Sequence, residues 1–341
     1  MTFLFRAEAG AGMGLGHLKR SISLASALKR LGAESRFALN LIEEDLSRVD
    51  SRGFPLTEVL AAPWSDEDRA FTGDLAKRAG STAIVVDSRR APANYLRWLV
   101  EAGHFVICRD DLGQRGFPCQ VVLNGNADAE RLPYDRSNKG TRFLLGPRFI
   151  VLPPEFWDAP RRTASETVRN LLIVLGGTDP HNLMPALVQL CDDLPMDLSV
   201  TAVIGPFSRN REEVLRAGGA ARKPVTCVEN PGSLFDLMSR ADLAISGGGQ
   251  ALYELACAGC PAIALEVAPD QAGQMRVLQE DGLIRAAGKA GDPGLLANVR
   301  EELRHLTGDP RLRSEMVRKG QERVDGKGAS RVAQQFIEQA A

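Results

Sequence analysis

Residues 2–32, TFLFRAEAGAGMGLGHLKRSISLASALKRLG, decide the fold of this chain. The apolar start, TFLFRAE, predicts a buried strand, and a glycine-rich loop follows it. A helix is predicted next, because apolar residues recur with helical spacing at Leu18, Ile22, Leu24, Leu28 and Leu31. Gly32 suits the C-terminal end of that helix. A strand, a glycine turn and a helix in this order are typical of a parallel, doubly wound α/β sheet.

The alternation of strands and helices continues through the first half of the chain. The further strand candidates are SRFALN, STAIVVDSR, HFVICRDD and QVVLNGN. Two of these runs end in acidic residues, one at Asp87 and the other at Asp110 and Asp111. Because parallel strands end at one edge of their sheet, we expect these carboxylates to lie at the same edge as the glycine loop.

The pattern restarts after PPEFWDAPRRTASE, whose prolines and charges predict a linker. NLLIVLGGTDP is again a strand with a glycine turn, and a helix is predicted from about Asn182. The strand candidates that follow are LSVTAVIG, VTCVEN, ADLAISGGG and CPAIALEV. We therefore predict two Rossmann-like domains, residues 1–155 and 166–325, and a C-terminal helix at 326–341. Such domains are expected to hold their ligand in the cleft between them, at the carboxyl ends of the strands.

The composition is that of an ordinary globular protein. With 341 residues, 44% of them hydrophobic, the chain is long enough for two cores, and its six cysteines are too few for a disulfide scaffold. A formal net charge of −1 provides no field that would attract nucleic acid. No apolar run approaches the roughly 20 residues of a membrane helix, and Arg6 interrupts the apolar start before it could be a secretory signal. We expect a cytoplasmic protein without nucleic-acid binding or stable membrane insertion.

The first glycine loop contains Gly12, Gly14 and Gly16 and leads into His17 and Arg20. Glycines let a ligand approach the backbone, and the helix that follows presents free N–H groups and the positive end of its dipole. This position disfavours an imidazolium, so we expect a largely neutral His17 that can accept a proton. Arg20, one turn later, can hold a phosphate or carboxylate. In the alternative interpretation, His17 only caps the loop and Arg20 is a solvated surface charge.

This loop does not fit the dinucleotide-binding fingerprint. The third glycine of that pattern would fall at position 17, which is a histidine, and no acidic residue for a ribose is clearly placed downstream. The Lys-Ser/Thr pair of a P-loop is missing too. A nicotinamide-dependent oxidoreductase is therefore a distant alternative.

Two more glycine turns follow predicted strands in the second half. Ser246–Gly249 opens a helix and predicts an anion site, and Glu254 could accept hydrogen bonds from the vicinal hydroxyls of a ribose. In the other turn, Gly176 and Gly177 can bring backbone near a phosphate, and Asp179 is expected to cap the next helix. A tight structural turn is the alternative for each.

Metal and redox chemistry are not expected. CAGC gives Cys257 and Cys260 the spacing of a redox motif or half a zinc site, but no second ligand pair accompanies them, so buried thiols are the better interpretation. His104, His181 and His305 have no metal-ligand spacing with each other. We predict no metal and no cofactor.

The order of these motifs resembles a known family. RAEAGAGMGLGHLKR is similar to the R-x-D-x-G…G-x-G-H-x-x-R start of the PseG-like UDP-sugar hydrolases of pseudaminic acid biosynthesis and of related spore-coat polysaccharide proteins. CRDDLGQRGFPCQVVLNGN, LGGTDP and a late glycine loop ending in Tyr-Glu follow in the family's order, so the resemblance runs from residue 6 to about residue 331. The family is part of the GT-B superfamily, whose fold has two Rossmann-like domains with parallel sheets facing across a cleft.

The resemblance implies hydrolysis of a UDP-linked diacetamido-trideoxy hexose at the sugar C1–O bond, which releases UDP and free sugar for nonulosonic acid biosynthesis. It implies that His17 is catalytic, as the general base for a water that inverts the anomeric centre. UDP is a good leaving group, and glycine amides and helix ends can stabilise its charge without a metal. The expected substrate-binding residues are Gly14, Gly16, Arg20, Asp87, Gly176, Gly177, Ser246, Gly247, Gly248, Gly249, Gln250, Tyr253, Glu254 and Gln271.

The chain departs from the family pattern where substrate would be held. Glu8 stands where aspartate is usual, Arg89 where tyrosine is usual, and Pro153 where arginine is usual. In the late loop, Gln250 and Ala251 replace Ser-Thr, which removes a hydroxyl for phosphate binding, and Asp270 replaces the asparagine of an Asn-Gln pair. These changes affect the identity of the sugar more than the chemistry, because His17 is retained.

Two other functions fit the same residues. In a GT-B glycosyltransferase with a UDP-sugar donor, His17 would serve an acceptor hydroxyl in place of water; a basic amphipathic face for membrane-bound acceptors would favour this, and none is clear in the N-terminal half. A non-catalytic nucleotide-sugar-binding protein is made plausible by the altered late loop, and it predicts UDP affinity that is indifferent to substitution of His17.

Overall fold

A computed structural model of the protein describes residues 1–10, 16–42, 51–114 and 116–341. Gly12 and Gly14 of the first glycine loop lie outside these residues. The chain divides into two compact units: the first comprises Met1–Trp157 and Lys327–Ala341, and the second comprises Asp158–Gly326. Among the described helices, none is both long enough and apolar enough to cross a membrane.

The first unit is a parallel sheet covered by helices. In chain order its elements are β1 (Thr2–Gly10), α1 (Gly16–Arg30), β2 (Glu34–Ile42), β3 (Leu56–Glu58), α2 (Asp66–Arg78), β4 (Ala83–Asp87), α3 (Ala93–Glu101), β5 (Phe105–Arg109), β6 (Val121–Asn124), β7 (Arg142–Leu145) and the terminal α11 (Gly328–Ala340). The seven strands lie in the order β3-β2-β1-β4-β5-β6-β7. The order reverses between β1 and β4, so the chain leaves these two neighbouring strands in opposite directions.

Successive side chains along each strand point to opposite faces of the sheet, so this unit has a hydrophobic core on each face. Phe5, Val85 and Ile107 share one core with the apolar face of α1 and with α11. The strand residues that alternate with these point to the other face of the sheet and share the other core with residues of α2 and α3. By this parity, Asp87 and Arg109 at the ends of β4 and β5 belong to the α1 side of the sheet.

The second unit repeats this plan. Its elements are β8 (Asn170–Val174), α4 (Leu183–Asp192), β9 (Ser199–Ile204), α5 (Arg211–Ala220), β10 (Val225–Glu229), α6 (Phe235–Arg240), β11 (Leu243–Gly247), α7 (Ala251–Ala258), β12 (Ala262–Glu266), α8 (Ala272–Glu280), β13 (Ile284–Lys289), α9 (Leu295–Gly308) and α10 (Pro310–Arg323). The six strands lie in the order β10-β9-β8-β11-β12-β13, and the reversal falls between β8 and β11. In open α/β sheets, ligands bind at such a reversal, outside the carboxyl ends of the strands.

The predicted α/β architecture is confirmed, and three strands add to it. β3 is only three residues long, β7 is a short run after a turn, and β13 has the sequence IRAAGK, which contains one β-branched residue and a glycine. Strand signals of this kind are weak because strand preference depends on packing partners. The terminal helix is present as predicted; it packs on the first unit, where the rings of Phe336 and Phe3 are stacked with centroids 6.4 Å apart.

Candidate active site

His17 and Asp87 meet at the point where the strand order of the first sheet reverses. His17 is the second residue of α1, which follows β1, and Asp87 is the last residue of β4. Nδ1 of His17 lies 2.8 Å from Oδ1 of Asp87, and both side chains are buried. The prediction that His17 lies in the first helical turn is therefore confirmed, and the structure adds a carboxylate partner for it.

Three residues of α1 occupy the oxygens of Asp87. Oδ1 accepts from His17 and from Nη2 of Arg20, the latter at 2.6 Å. Oδ2 accepts from Nε of Arg20 at 3.1 Å and from the hydroxyl of Ser21 at 2.7 Å. A carboxylate has about four acceptor positions, so Asp87 is saturated by these contacts. The geometry favours positioning of His17 by Asp87, and the predicted contact of Asp87 with substrate stays a prediction.

The proton on His17 follows from these contacts. An ionised carboxylate only accepts, so the 2.8 Å contact between Nδ1 and Oδ1 of Asp87 requires the hydrogen on Nδ1; Nη2 of Arg20, 2.7 Å from Nδ1, donates to the same carboxylate oxygen. Nδ1–H therefore donates to Asp87, which leaves the lone pair on Nε2. Nε2 makes no hydrogen bond to any part of the chain that the structure describes. A histidine held in this tautomer by a carboxylate can take a proton at Nε2.

Arg20 links two carboxylates of the first unit. Besides Asp87 it contacts Asp111, with Nη1 lying 3.1 Å and 3.0 Å from the two carboxylate oxygens. Burial opposes the charge of Arg20, but Asp111 and Asp87 outweigh burial and raise the pKa of the guanidinium above its ordinary value. Burial likewise favours a neutral Asp87, yet Arg20, followed by His17 and Arg109, holds the pKa of that carboxyl well below its usual range. Binding of substrate by Arg20 remains a prediction, and its donors are already used within the site.

Arg109 is the residue of this site that the sequence analysis did not identify. It is the last residue of β5 and lies beside Asp87 in the register of the sheet. Its guanidinium is within electrostatic range of Arg20, Asp87 and Asp111. The available signal was parity, because Arg109 comes two residues after Ile107, which packs in the core with α1, and therefore lies on the same face of β5.

A second polar cluster lies on the other side of the same sheet. Arg6 forms a buried ion pair of 2.7 Å with Asp68, and its guanidinium lies 4.6 Å from the ring centre of Trp64. Glu8, which replaces the aspartate of the family pattern, accepts hydrogen bonds from Ser88 and from the indole of Trp64. The motif residues Arg6 and Glu8 therefore belong to a different polar cluster from His17.

The glycines of the late loop of the second unit are packed tightly. A Cβ on Gly248 would overlap Sδ of Met275 and lie 2.9 Å from Oε1 of Gln271. A Cβ on Gly247 would lie 3.2 Å from Val267. A side chain at position 248 would therefore displace the side chains of Met275 and Gln271, which pack against the loop.

Tyr253 and Gln274 hold this loop through two hydrogen bonds. The hydroxyl of Tyr253 donates to Oε1 of Gln274 at 2.7 Å, and Nε2 of Gln274 donates to the carbonyl of Gly248 at 2.7 Å. Tyr253 is only 1% exposed. Ser246 is fully buried, and its hydroxyl donates to the carbonyl of Gly247 at 2.9 Å. These contacts give Tyr253 and Ser246 a part in holding the loop, while direct binding of substrate by them stays a prediction.

The remaining predicted residues surround the same edge of the second sheet. Nε2 of Gln250 donates to Glu254 at 3.2 Å, and Oε1 of Gln271 accepts from the backbone N–H of Val267 at 3.0 Å. Gly176 and Gly177 are exposed just after β8, and Gly205 packs against their carbonyl groups without room for a Cβ. The glycine turns after β8 and β11 thus lie on either side of the reversal of strand order in this unit.

Two structural interpretations from the sequence are confirmed. Asp179 caps α4, because its two oxygens accept from the backbone N–H groups of Leu183 and Met184, each at 3.0 Å. Cys257 and Cys260 are buried thiols that form no disulfide among the described residues, and burial raises the pKa of both to about 12. Within the described ranges, no three histidine, cysteine, aspartate or glutamate residues are grouped as a metal site would require.

Comparison with known structures defines the class of the fold. MurG of Acinetobacter baumannii superposes with a TM-score of 0.71 at 17% identity, over 99% of this chain and 100% of that one. A glycosyltransferase from Rickettsia africae superposes with a TM-score of 0.62 at 12% identity, over 99% of this chain and 98% of that one. The fold is of the GT-B type, as the resemblance implied.

Two named proteins are similar to the chain in sequence. The chain is 27% identical to the spore coat polysaccharide biosynthesis protein SpsG of Bacillus subtilis, over 96% of this chain and 95% of that protein. It is 24% identical to a Helicobacter pylori protein named pseudaminic acid cytidylyltransferase and UDP-2,4-diacetamido-2,4,6-trideoxy-β-L-altropyranose hydrolase, over 80% of this chain and 46% of that protein. No protein-family model matches the chain. The resemblance seen in the motifs is therefore confirmed by similarity to both proteins.

Proposed function

We propose that this protein is a nucleotide-sugar hydrolase that cleaves the anomeric C–O bond of a UDP-linked diacetamido-trideoxy hexose, with His17 as the general base. The observation that carries the proposal is the contact between Nδ1 of His17 and the saturated carboxylate of Asp87, which leaves Nε2 available. The names of the two relatives support the wider class, an enzyme of nucleotide-sugar chemistry in polysaccharide biosynthesis, and one of these names includes a UDP-sugar hydrolase.

The proposed reaction uses water as the nucleophile. Nε2 of His17 takes a proton from the water while the water oxygen forms a bond to the anomeric carbon. The bond from that carbon to the diphosphate oxygen breaks, and its electron pair leaves with UDP. Asp87 stabilises the imidazolium that forms, because it is charged and lies 2.8 Å from Nδ1. Attack opposite the leaving group inverts the anomeric centre.

The second unit is proposed to bind the UDP part. Gly176 and Gly177 follow β8, and the Ser246–Gly249 turn precedes α7, so both turns present backbone N–H groups at the edge where this class of sheet binds ligands. Glu254 is proposed to accept hydrogen bonds from the ribose hydroxyls. This arrangement requires no metal ion to hold the diphosphate.

UDP release from a panel of UDP-amino sugars tests the reaction directly. The assay contains EDTA and no acceptor, and NMR follows the anomeric configuration of the freed sugar. We expect free sugar with inverted configuration. Failure to release UDP from any donor, with UDP still bound, would contradict hydrolysis.

His17→Ala tests the base. General bases contribute about 10²–10⁴-fold, so we expect kcat to fall by that range while UDP affinity stays near that of the wild type. His305→Ala is the matched control, because His305 lies on α9 and is half exposed. Activity of the His17 variant within about tenfold of the wild type would exclude this role.

Transfer to an acceptor is the second candidate. It is favoured by the fold shared with the Rickettsia glycosyltransferase. In a transferase the same Nε2 would deprotonate an acceptor hydroxyl, so donor turnover would require the acceptor. Turnover without an acceptor therefore separates the two functions.

A further inference from the structure

Arg109 is a buried arginine whose guanidinium has no hydrogen-bonding partner among the described residues. Arg109 is 4% exposed, and its Nε and Nη1 atoms are buried without a hydrogen-bonding partner in the part of the chain that the structure describes. A guanidinium carries five N–H donors and is nearly always paired when buried. A buried charge without hydrogen bonds is unfavourable, so the arrangement calls for a reason.

The other buried arginines of the site region are paired. Arg6 binds Asp68 through two nitrogens at 2.9 Å and 2.7 Å. Arg20 has Asp87 and Asp111 as partners. The fold thus supplies carboxylates to these two arginines, whereas no described residue accepts a hydrogen bond from Nε or Nη1 of Arg109.

The charged groups around Arg109 make no hydrogen bond to its guanidinium in the described part of the chain. Arg20, Asp87 and Asp111 are the charged groups that act on it. The oxygens of both carboxylates are already engaged by Arg20, and those of Asp87 also by His17 and Ser21. Burial, followed by repulsion from Arg20, lowers the pKa of Arg109 to about 10, so the group is still charged at neutral pH.

We propose that Arg109 is an oxyanion subsite, whose donors bind two oxygens of a phosphate or carboxylate group on the ligand next to His17. A planar guanidinium fits these groups through two parallel hydrogen bonds. The oxyanion can come from two sources, the diphosphate of the nucleotide or a carboxylate on the sugar. This inference rests on the proposed function only in assuming that the ligand contains a nucleotide.

Calorimetric titration of Arg109→Met with UDP, UDP-N-acetylglucosamine and UDP-glucuronic acid tests the subsite. Hydrogen bonds to charged groups are worth about 1.5 to 3 kcal/mol, so we expect a loss of affinity of about tenfold to a hundredfold. A loss for all three ligands assigns the diphosphate, and a loss for UDP-glucuronic acid alone assigns a sugar carboxylate. Arg142→Met is the control, because Arg142 is exposed on β7. Binding of all three ligands within about threefold of the wild type would overturn the proposal.

Binding of inorganic phosphate tests the subsite independently of the proposed function. If the wild-type protein binds none of the three nucleotides, the hydrolase proposal fails, and thermal unfolding with and without phosphate at fixed ionic strength still decides the subsite. We expect phosphate to raise the melting temperature of the wild-type protein more than that of Arg109→Met, with Arg109→Lys between them. Equal responses of the wild-type protein and Arg109→Met would reject the subsite.

Discussion

Nδ1 of His17 and Oδ1 of Asp87 are 2.8 Å apart although 70 positions of sequence separate the two residues. The sheet brings them together, since β1 and β4 are parallel neighbours and the chain leaves β1 into the helix that contains His17. A carboxylate on Nδ1 sets the tautomer and orientation of an imidazole. Asp87 therefore sets the tautomer and orientation of His17 without needing to contact a substrate.

Asp87→Asn is expected to lower kcat by about 10²–10⁴-fold with little change in KM. In the wild-type protein both carboxylate oxygens accept hydrogen bonds, whereas the amide replaces one oxygen with an NH2 group that cannot accept them. Ser21→Ala is the matched comparison: it removes one hydrogen bond from the other oxygen of Asp87 and should cost less than about tenfold. Equal losses in the two variants would argue against a special role for the contact with His17.

The acid stability of the first unit should depend on Asp87. Its pKa in the folded protein is lowered by Arg20, so the carboxylate contributes stability above the unfolded value of about 3.9 and loses it as pH falls through the folded value. The difference in melting temperature between the wild type and Asp87→Asn should be constant from about pH 7 to about pH 5 and shrink below about pH 4. A difference that already shrinks between pH 7 and pH 5 would contradict this assignment.

The sequence predicted those parts of the fold that depend on local pattern. Strand, glycine turn and helix recur because apolar periodicity and glycine requirements are encoded within a few residues, as in the segment that contains His17. β13 was missed because its strand character comes from pairing with β12 rather than from its own residues.

Contacts within the site were harder to predict because they depend on the order of strands and the parity of side chains. Asp87 was expected to bind substrate, and only the neighbouring positions of β1 and β4 show that three residues of α1 occupy its oxygens. Arg109 stands in the segment CRDDLGQRGFPCQVVLNGN, where attention fell on the two aspartates after it, and only the structure shows that it has no hydrogen-bonding partner among the described residues. Neither relationship is visible as a spacing in the sequence.

Gly248→Ala should weaken both the second unit and its binding of UDP. A Cβ there would overlap Sδ of Met275, and overpacking of this kind costs about 1 to 3 kcal/mol of stability. We expect a lower melting temperature and a loss of UDP affinity of more than about tenfold, measured by calorimetry. Gly219→Ala is the control, since nothing lies within 4 Å of its Cβ position in α5 and alanine there should stabilise the helix by about 0.5 to 1 kcal/mol. Unchanged UDP affinity in a folded Gly248→Ala protein would remove this loop from the binding site.

A double-mutant cycle on Tyr253 and Gln274 distinguishes support of the late loop from direct contact with UDP. Tyr253→Phe leaves Oε1 of Gln274 without the phenol that donates to it, and Gln274→Leu removes the link to the carbonyl of Gly248. If Tyr253 acts through Gln274, each single variant should weaken UDP binding by a similar factor and the double variant should be no weaker than either. Additive losses would instead mean that Tyr253 contacts UDP on its own. Tyr134→Phe controls for loss of a buried hydroxyl, because its partners Asp110 and Asn124 lie in the first unit, and it should leave UDP affinity unchanged.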